Sequence, residues 1–178
     1  MNHFCRLLEA EIPRLRRYAR ALTRDVSRAD DLVQSCLTRA IAKQHLWQPG
    51  TDLRAWLFTV LRNQHVSDLR RSARDRNTVS TEDITPAWSV EPAALHVLEL
   101  RDLEAAIAKL PQEQRQAILL VGLEGMLYDQ AASILGIPIG TLRSRLSRTR
   151  EQLRILMGLD AKHRPAAADY AAKERRAA

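Results

Sequence analysis

The chain reads as an all-α protein made of two small helical domains joined by a flexible linker. Three observations lead there. Apolar residues recur at helical spacing over most of the chain, and strand-like alternation is almost absent. Hydrophobic residues make up 46% of the sequence but aromatic ones only 4%, which suits small helical cores better than a sandwich or barrel. Between the two helical stretches, residues 73–92 turn to Asn, Thr, Ser, Asp and Pro, with Pro86 and Pro92 breaking any helix. A loop of that length inside one compact domain is unusual, so it reads as a tether.

The first domain covers residues 1–72 and holds three to four helices. Leu8, Ile12, Leu15, Ala19 and Leu22 form one apolar row. A second helix starts near Ser27, read as its N-cap, with Asp30 in the first turn. Ala29, Leu32, Val33, Cys36, Leu37, Ala40 and Ile41 then share a face. Cys36 sits inside that row, so it reads as a core residue and not as a nucleophile. Gln48-Pro49-Gly50-Thr51-Asp52 is a turn and helix start. The next helix carries Leu53, Trp56, Leu57, Val60 and Leu61 on one side and becomes basic at Arg62, Arg70, Arg71, Arg74 and Arg76.

The second domain covers residues 93–160. Leu100, Leu103, Ile107 and Leu110 lead to Pro111, which suits the first position of a new helix. Ala117, Leu120 and Val121 continue it, and Gly122 and Gly125 mark its end. Residues 161–178 are Ala-rich and charged and read as a frayed or disordered tail.

A net charge of +7 suits a polyanionic partner, most simply nucleic acid. Two cysteines, Cys5 and Cys36, make neither a disulfide framework nor a zinc site. His3, His45, His65, His96 and His163 lack ligand spacing, so neither a metal nor a cofactor is expected. No apolar run approaches the roughly 20 residues needed to span a bilayer. Arg6, Glu9 and Glu11 interrupt any signal-peptide core, which leads to a cytoplasmic reading with no membrane partner.

The most informative stretch is Tyr128 to Leu156. A short helix from Asp129 to Leu135 ends at Gly136, a left-handed C-cap, and Pro138 and Thr141 open a second helix. Two short helices joined by a Gly-containing turn form a helix-turn-helix. In the second, Leu142, Leu146, Leu153 and Met157 recur at core spacing. Arg143, Ser147, Arg150 and Arg154 line another face, with Arg145 and Arg148 beside them. Such a helix fits the major groove, where arginine bonds guanine bidentately or neutralises phosphate, and the short Ser144 and Ser147 permit close approach.

These residues carry a resemblance. Leu110-Pro111 with Arg115, the run from Tyr128 to Gly136, and Gly140 to Leu153 resemble region 4 of extracytoplasmic-function sigma factors. Ala29-Asp30-Asp31-Leu32-Val33-Gln34, Leu53 to Phe58, Arg62-Asn63, and Asp68 to Arg71 resemble region 2 of the same family. The style of His45 to Asn63 is similar to the alphaproteobacterial general-stress subgroup.

The resemblance implies a protein that binds core RNA polymerase, at its β′ clamp helices and β flap, and selects promoter DNA in a stress response. It implies polymerase docking through Asp30, Asp31 and Gln34. It places Trp56, Arg62, Asn63, Arg70 and Arg71 at the −10 element, where Asn63 would hold the edge of a flipped base. It places Thr141, Arg143, Ser144, Arg145, Ser147 and Arg148 at the −35 element. Trp56 shares a face with Leu53 and Val60, so core packing competes with base stacking there. Asp129-Gln130 stands where the family usually has two acids. An anti-sigma protein is a further implied partner, and the chain itself is not expected to be an enzyme. Two rival readings are a dimeric helix-turn-helix regulator, which leaves the N-terminal motifs unexplained, and a sigma-like decoy that titrates an anti-sigma factor.

Overall fold

A computed structural model describes residues 3–75 and 94–159. The expected linker, except for its first three residues, and the expected tail lie outside them. Seven α-helices are described: α1 (His3–Thr23), α2 (Val26–Ala42), α3 (Leu53–Asp75), α4 (Ala94–Ala108), α5 (Gln112–Ile118), α6 (Tyr128–Leu135) and α7 (Ile139–Leu156). A 3-10 turn at Gln44–Leu46 follows α2, and a π-helical turn at Leu119–Leu123 extends α5. No strand occurs among the described residues.

Helices α1, α2 and α3 form a bundle. Leu15, Tyr18 and Ala19 from α1, Ala29, Val33 and Cys36 from α2, and Leu57, Phe58 and Leu61 from α3 are buried at its centre. The Tyr18 and Phe58 rings meet edge-on at 5.2 Å, a favoured aromatic geometry. α1 ends at Arg24, whose φ of 62° reverses the chain. The Asp25 side chain then caps α2 by accepting the Arg28 N–H at 2.9 Å. The cap is thus Asp25 and not Ser27, because the turn through Arg24 brings the first free amides under a carboxylate two residues earlier than the apolar periodicity suggests.

In the second half, α5 and α7 pack on one another, with α4 and α6 to either side. Pro111 is the N-cap of α5 and not its first helical residue, so the helix starts at Gln112, one position later than expected. Gly122 lies within the π-helical turn, whose Leu119 carbonyl accepts the Glu124 N–H at 3.0 Å. Gly125, at φ 64°, makes the break. Leu100, placed in the apolar row by spacing, is exposed.

The two halves meet. One continuous cluster of buried apolar residues runs from Phe4, Leu8 and Leu15 through Leu57 and Leu61 to Leu120, Ile134, Leu142 and Leu146. Helix α3 rests on α6, and α1 rests on the π-helical turn.

Candidate nucleic-acid interface

The helix-turn-helix is built by its own turn chemistry. Gly136 has φ 62° and ψ 38°, the left-handed cap that a side chain would resist. The Ile137 N–H returns to the Ala132 carbonyl at 3.1 Å, closing the last turn of α6. Ile137 packs against the core, and Pro138 is the N-cap of α7. Leu142 and Leu146 are fully buried, and Leu153 nearly so. Thr149 is fully buried as well, its hydroxyl donating to the Arg145 carbonyl at 2.8 Å. It was invisible to apolar periodicity because its hydroxyl is satisfied inside its own helix.

This burial fixes what faces outward. Thr141, Arg143, Ser144, Ser147 and Arg148 are all exposed. The Ser144 hydroxyl donates to the Thr141 carbonyl at 3.0 Å, and Arg148 Nε reaches the Ser144 carbonyl at 3.4 Å. Arg145 stands apart from them. Its side chain is 16% exposed and its guanidinium lies 2.7 Å from the Glu113 carboxylate on α5. Arg150 donates to the Tyr128 hydroxyl at 3.2 Å, and Arg154 lies 3.4 Å from Glu151. Arg143 and Arg148 are thus exposed beside short hydroxyl side chains, while Arg145 is held against α5 and Arg150 against Tyr128 of α6.

On α3 the expected −10 residues fall on different surfaces. Asn63, Arg70 and Arg71 are exposed. Arg62 is half-buried and donates to the Asn63 side-chain oxygen at 3.2 Å, fixing the amide's orientation. Trp56 is half-buried on the core, with the Phe4 ring 6.4 Å away edge-on. Of the expected docking residues on α2, Asp31 and Gln34 are exposed, whereas Asp30 lies 3.7 Å from Arg16 on α1.

Two polar clusters, around Glu124 and around Arg115, escaped the sequence reading. Glu124 is buried, and its carboxylate takes Arg17 Nε at 3.0 Å and Arg54 Nη2 at 3.3 Å. Arg54 also donates to the Glu124 backbone carbonyl. An acid inside the apolar run from Leu119 to Met126 was the available signal, since buried acids need partners. Arg115, noted only as part of a motif, donates to the carbonyls of Ile107, Ala108 and Leu110, and to that of Leu22 on α1. Burial lowers its pKa from the ordinary value.

Among the described residues no cluster of His, Cys, Asp or Glu could hold a metal. Burial pushes the Cys36 thiol up to about 12, which makes it inert as a nucleophile. No described helix is long and apolar enough to cross a membrane.

Comparison with known proteins matches the two halves separately and the chain as a whole. The Sigma2 domain of PhyR matches residues 8–62, and Sigma-70, region 4, matches residues 100–153. The ECF RNA polymerase sigma factor EcfG of Rhodopseudomonas palustris is 43% identical over 153 residues, 85% of this chain and 83% of that protein. The ECF RNA polymerase sigma factor SigL of Mycobacterium tuberculosis is 39% identical, covering 79% and 81%. Among solved structures, the sigma factor RpoE of Bartonella quintana, crystallised with the anti-sigma factor NepR, aligns with a TM-score of 0.76 and 38% identity, covering 90% of this chain and 99% of that one.

Proposed function

The chain belongs to the extracytoplasmic-function RNA polymerase sigma factors, and from that membership we propose how its residues divide the work of starting transcription. It binds core RNA polymerase and directs promoter-specific initiation. Sigma factors are not enzymes, so the polymerase supplies the catalysis. The likeness to EcfG and to the Bartonella sigma factor supports a role in the general stress response. An anti-sigma protein is its regulatory partner, as NepR is for the Bartonella relative. It works with the polymerase in the cytoplasm.

Residues 1–72 form the unit that grips polymerase and opens DNA, 73–92 the tether, 93–160 the −35 reader, and 161–178 a tail. Asp30, Asp31 and Gln34 dock on the polymerase. Asn63 captures a base of the −10 element while Arg62 holds its amide in place, and Arg70 and Arg71 take phosphates of the separated strand. Trp56 serves chiefly as core. On α7, Arg143 and Arg148 read base edges, Ser144 and Ser147 keep the helix close to the groove floor, and Thr141 contacts phosphate. Arg145 contributes charge while bracing α7 on α5.

The observation that carries this reading is the exposed Arg143, Ser147 and Arg148 face beside a buried Leu142, Leu146 and Thr149 row, on the second helix of a helix-turn-helix. Transcription in vitro with core polymerase on a genomic promoter library tests it. Start sites should appear only when the chain is added. Absence of such start sites, or a stable dimer that binds operators without polymerase, would overturn it.

A further inference from the structure

The two promoter readers lie on one closed body. Elements at −35 and −10 are about 25 base pairs apart, on the order of 80 Å at about 3.4 Å per pair. A compact chain of 178 residues has a radius of gyration near 16 Å, hence a diameter of about 40 Å. With α3 resting on α6, the two readers cannot reach both elements at once. Promoter engagement therefore requires the halves to part.

We propose that the chain closes on itself without any partner, and that a polar latch centred on Glu124 sets how often it opens. This rests on the sigma-factor reading above. Polar contacts at several places cross between the halves, alongside the shared apolar cluster. Glu124 is enclosed by Arg17 of α1 and Arg54 of α3. The Gln130 amide donates to Asp52 Oδ2 at 2.9 Å, while its oxygen accepts the Leu127 N–H at 3.1 Å. Arg115 reaches the Leu22 carbonyl at 3.4 Å.

A latch of this kind differs from an apolar seam. The Glu124 side chain is fully shielded while Arg17 remains 49% exposed, so the carboxylate is paired only while the halves touch. Gln130 satisfies two partners with one amide, donating outward to a carboxylate and accepting from its own helix start. A carboxylate at that position would face Asp52 with like charge and lose the donor. Beside the shared apolar cluster, the closed state is thus held by polar contacts that single isosteric changes undo. Since apparent affinity for promoter-bound polymerase scales with the open fraction, the latch acts as a threshold on activity.

The test uses the full chain with Thr38→Cys and Glu151→Cys as fluorophore sites on exposed positions of α2 and α7, and Cys5→Ser. Cys36, buried and with its thiol held up to about 12, should stay unlabelled. Gln130→Glu and Glu124→Gln are compared with the parent by single-molecule energy transfer, with circular dichroism to check helicity. The parent should show a dominant short-distance state. Each variant should raise the long-distance population about 5- to 100-fold at unchanged helicity. A parent already at long distance, or variants identical to it, would overturn the latch. Gln130→Glu without labels is also run with core polymerase at limiting concentration. A higher yield than the unlabelled parent supports the threshold, and an equal or lower yield refutes it. If neither protein supports initiation, the sigma-factor reading fails, while the distance measurement still decides the closure.

Discussion

Arg145 on α7 and Glu113 on α5 are joined by a 2.7 Å ion pair, while Arg148, about one turn further on, is exposed and bonds back to its own helix. Their consequences separate. Arg148→Ala and Arg143→Ala should each cost about 1–3 kcal/mol of discrimination at the −35 element. Promoter variants scored by in vitro transcription measure this, with helicity unchanged. Arg145→Ala should instead weaken binding almost equally across sequences and lower the melting temperature slightly, because an exposed ion pair of this kind stabilises by less than about 1 kcal/mol.

Asn63 is exposed and its side-chain oxygen is held by Arg62 at 3.2 Å. Asn63→Ala should reduce strand opening more than the initial closed complex. Permanganate reactivity of thymines reads opening, and a mobility shift at low temperature reads the closed complex. Equal losses in both would count against a base-capturing role.

Asp25 supplies the α2 cap. Asp25→Ala should destabilise the chain by about 1 kcal/mol, within the usual range of 0.5–2 for a lost cap. Ser27→Ala should change stability far less. Urea unfolding followed by circular dichroism distinguishes them.

His65 is 9% exposed, and its pKa is lowered from 6.5, chiefly by burial, which disfavours the charged ring, with Arg115 adding to this and Asp68 opposing it. The unfolded chain then binds more protons than the folded one as pH falls through the ordinary histidine value. Stability should therefore drop as pH is lowered through about 6.5. His65→Gln should flatten that slope in urea midpoints collected from pH 7.5 to 5.5.

Much of the fold was legible because its information is periodic or local. The apolar rows on α1, α2 and α7 and the Gly136 turn depend on neighbouring residues only. The outward placement of Arg143 and Arg148 follows once Leu142 and Leu146 are assigned inward. What escaped depends on distant parts of the chain. Nothing near Glu124 announces Arg17, which is 107 residues away. Gln130 looked like a mere departure from the family pattern until Asp52, 78 residues away, was seen to accept its amide. Side-chain type alone assigns Arg145 to DNA and passes over Thr149, whereas the Glu113 contact and burial determine what they do. The separation into two domains followed from the change in composition, which marks a tether but is silent on whether the tethered parts touch.

That Phe4 and Leu146 belong to one buried cluster has a consequence for the protein's life away from polymerase. Parting the halves brings apolar side chains into water. A chain released from transcription must close again, be covered by another protein, or stand exposed to proteases and to self-association. Turnover of such a factor would then follow how long each molecule spends unaccompanied, tying its abundance to the supply of surfaces that can receive it.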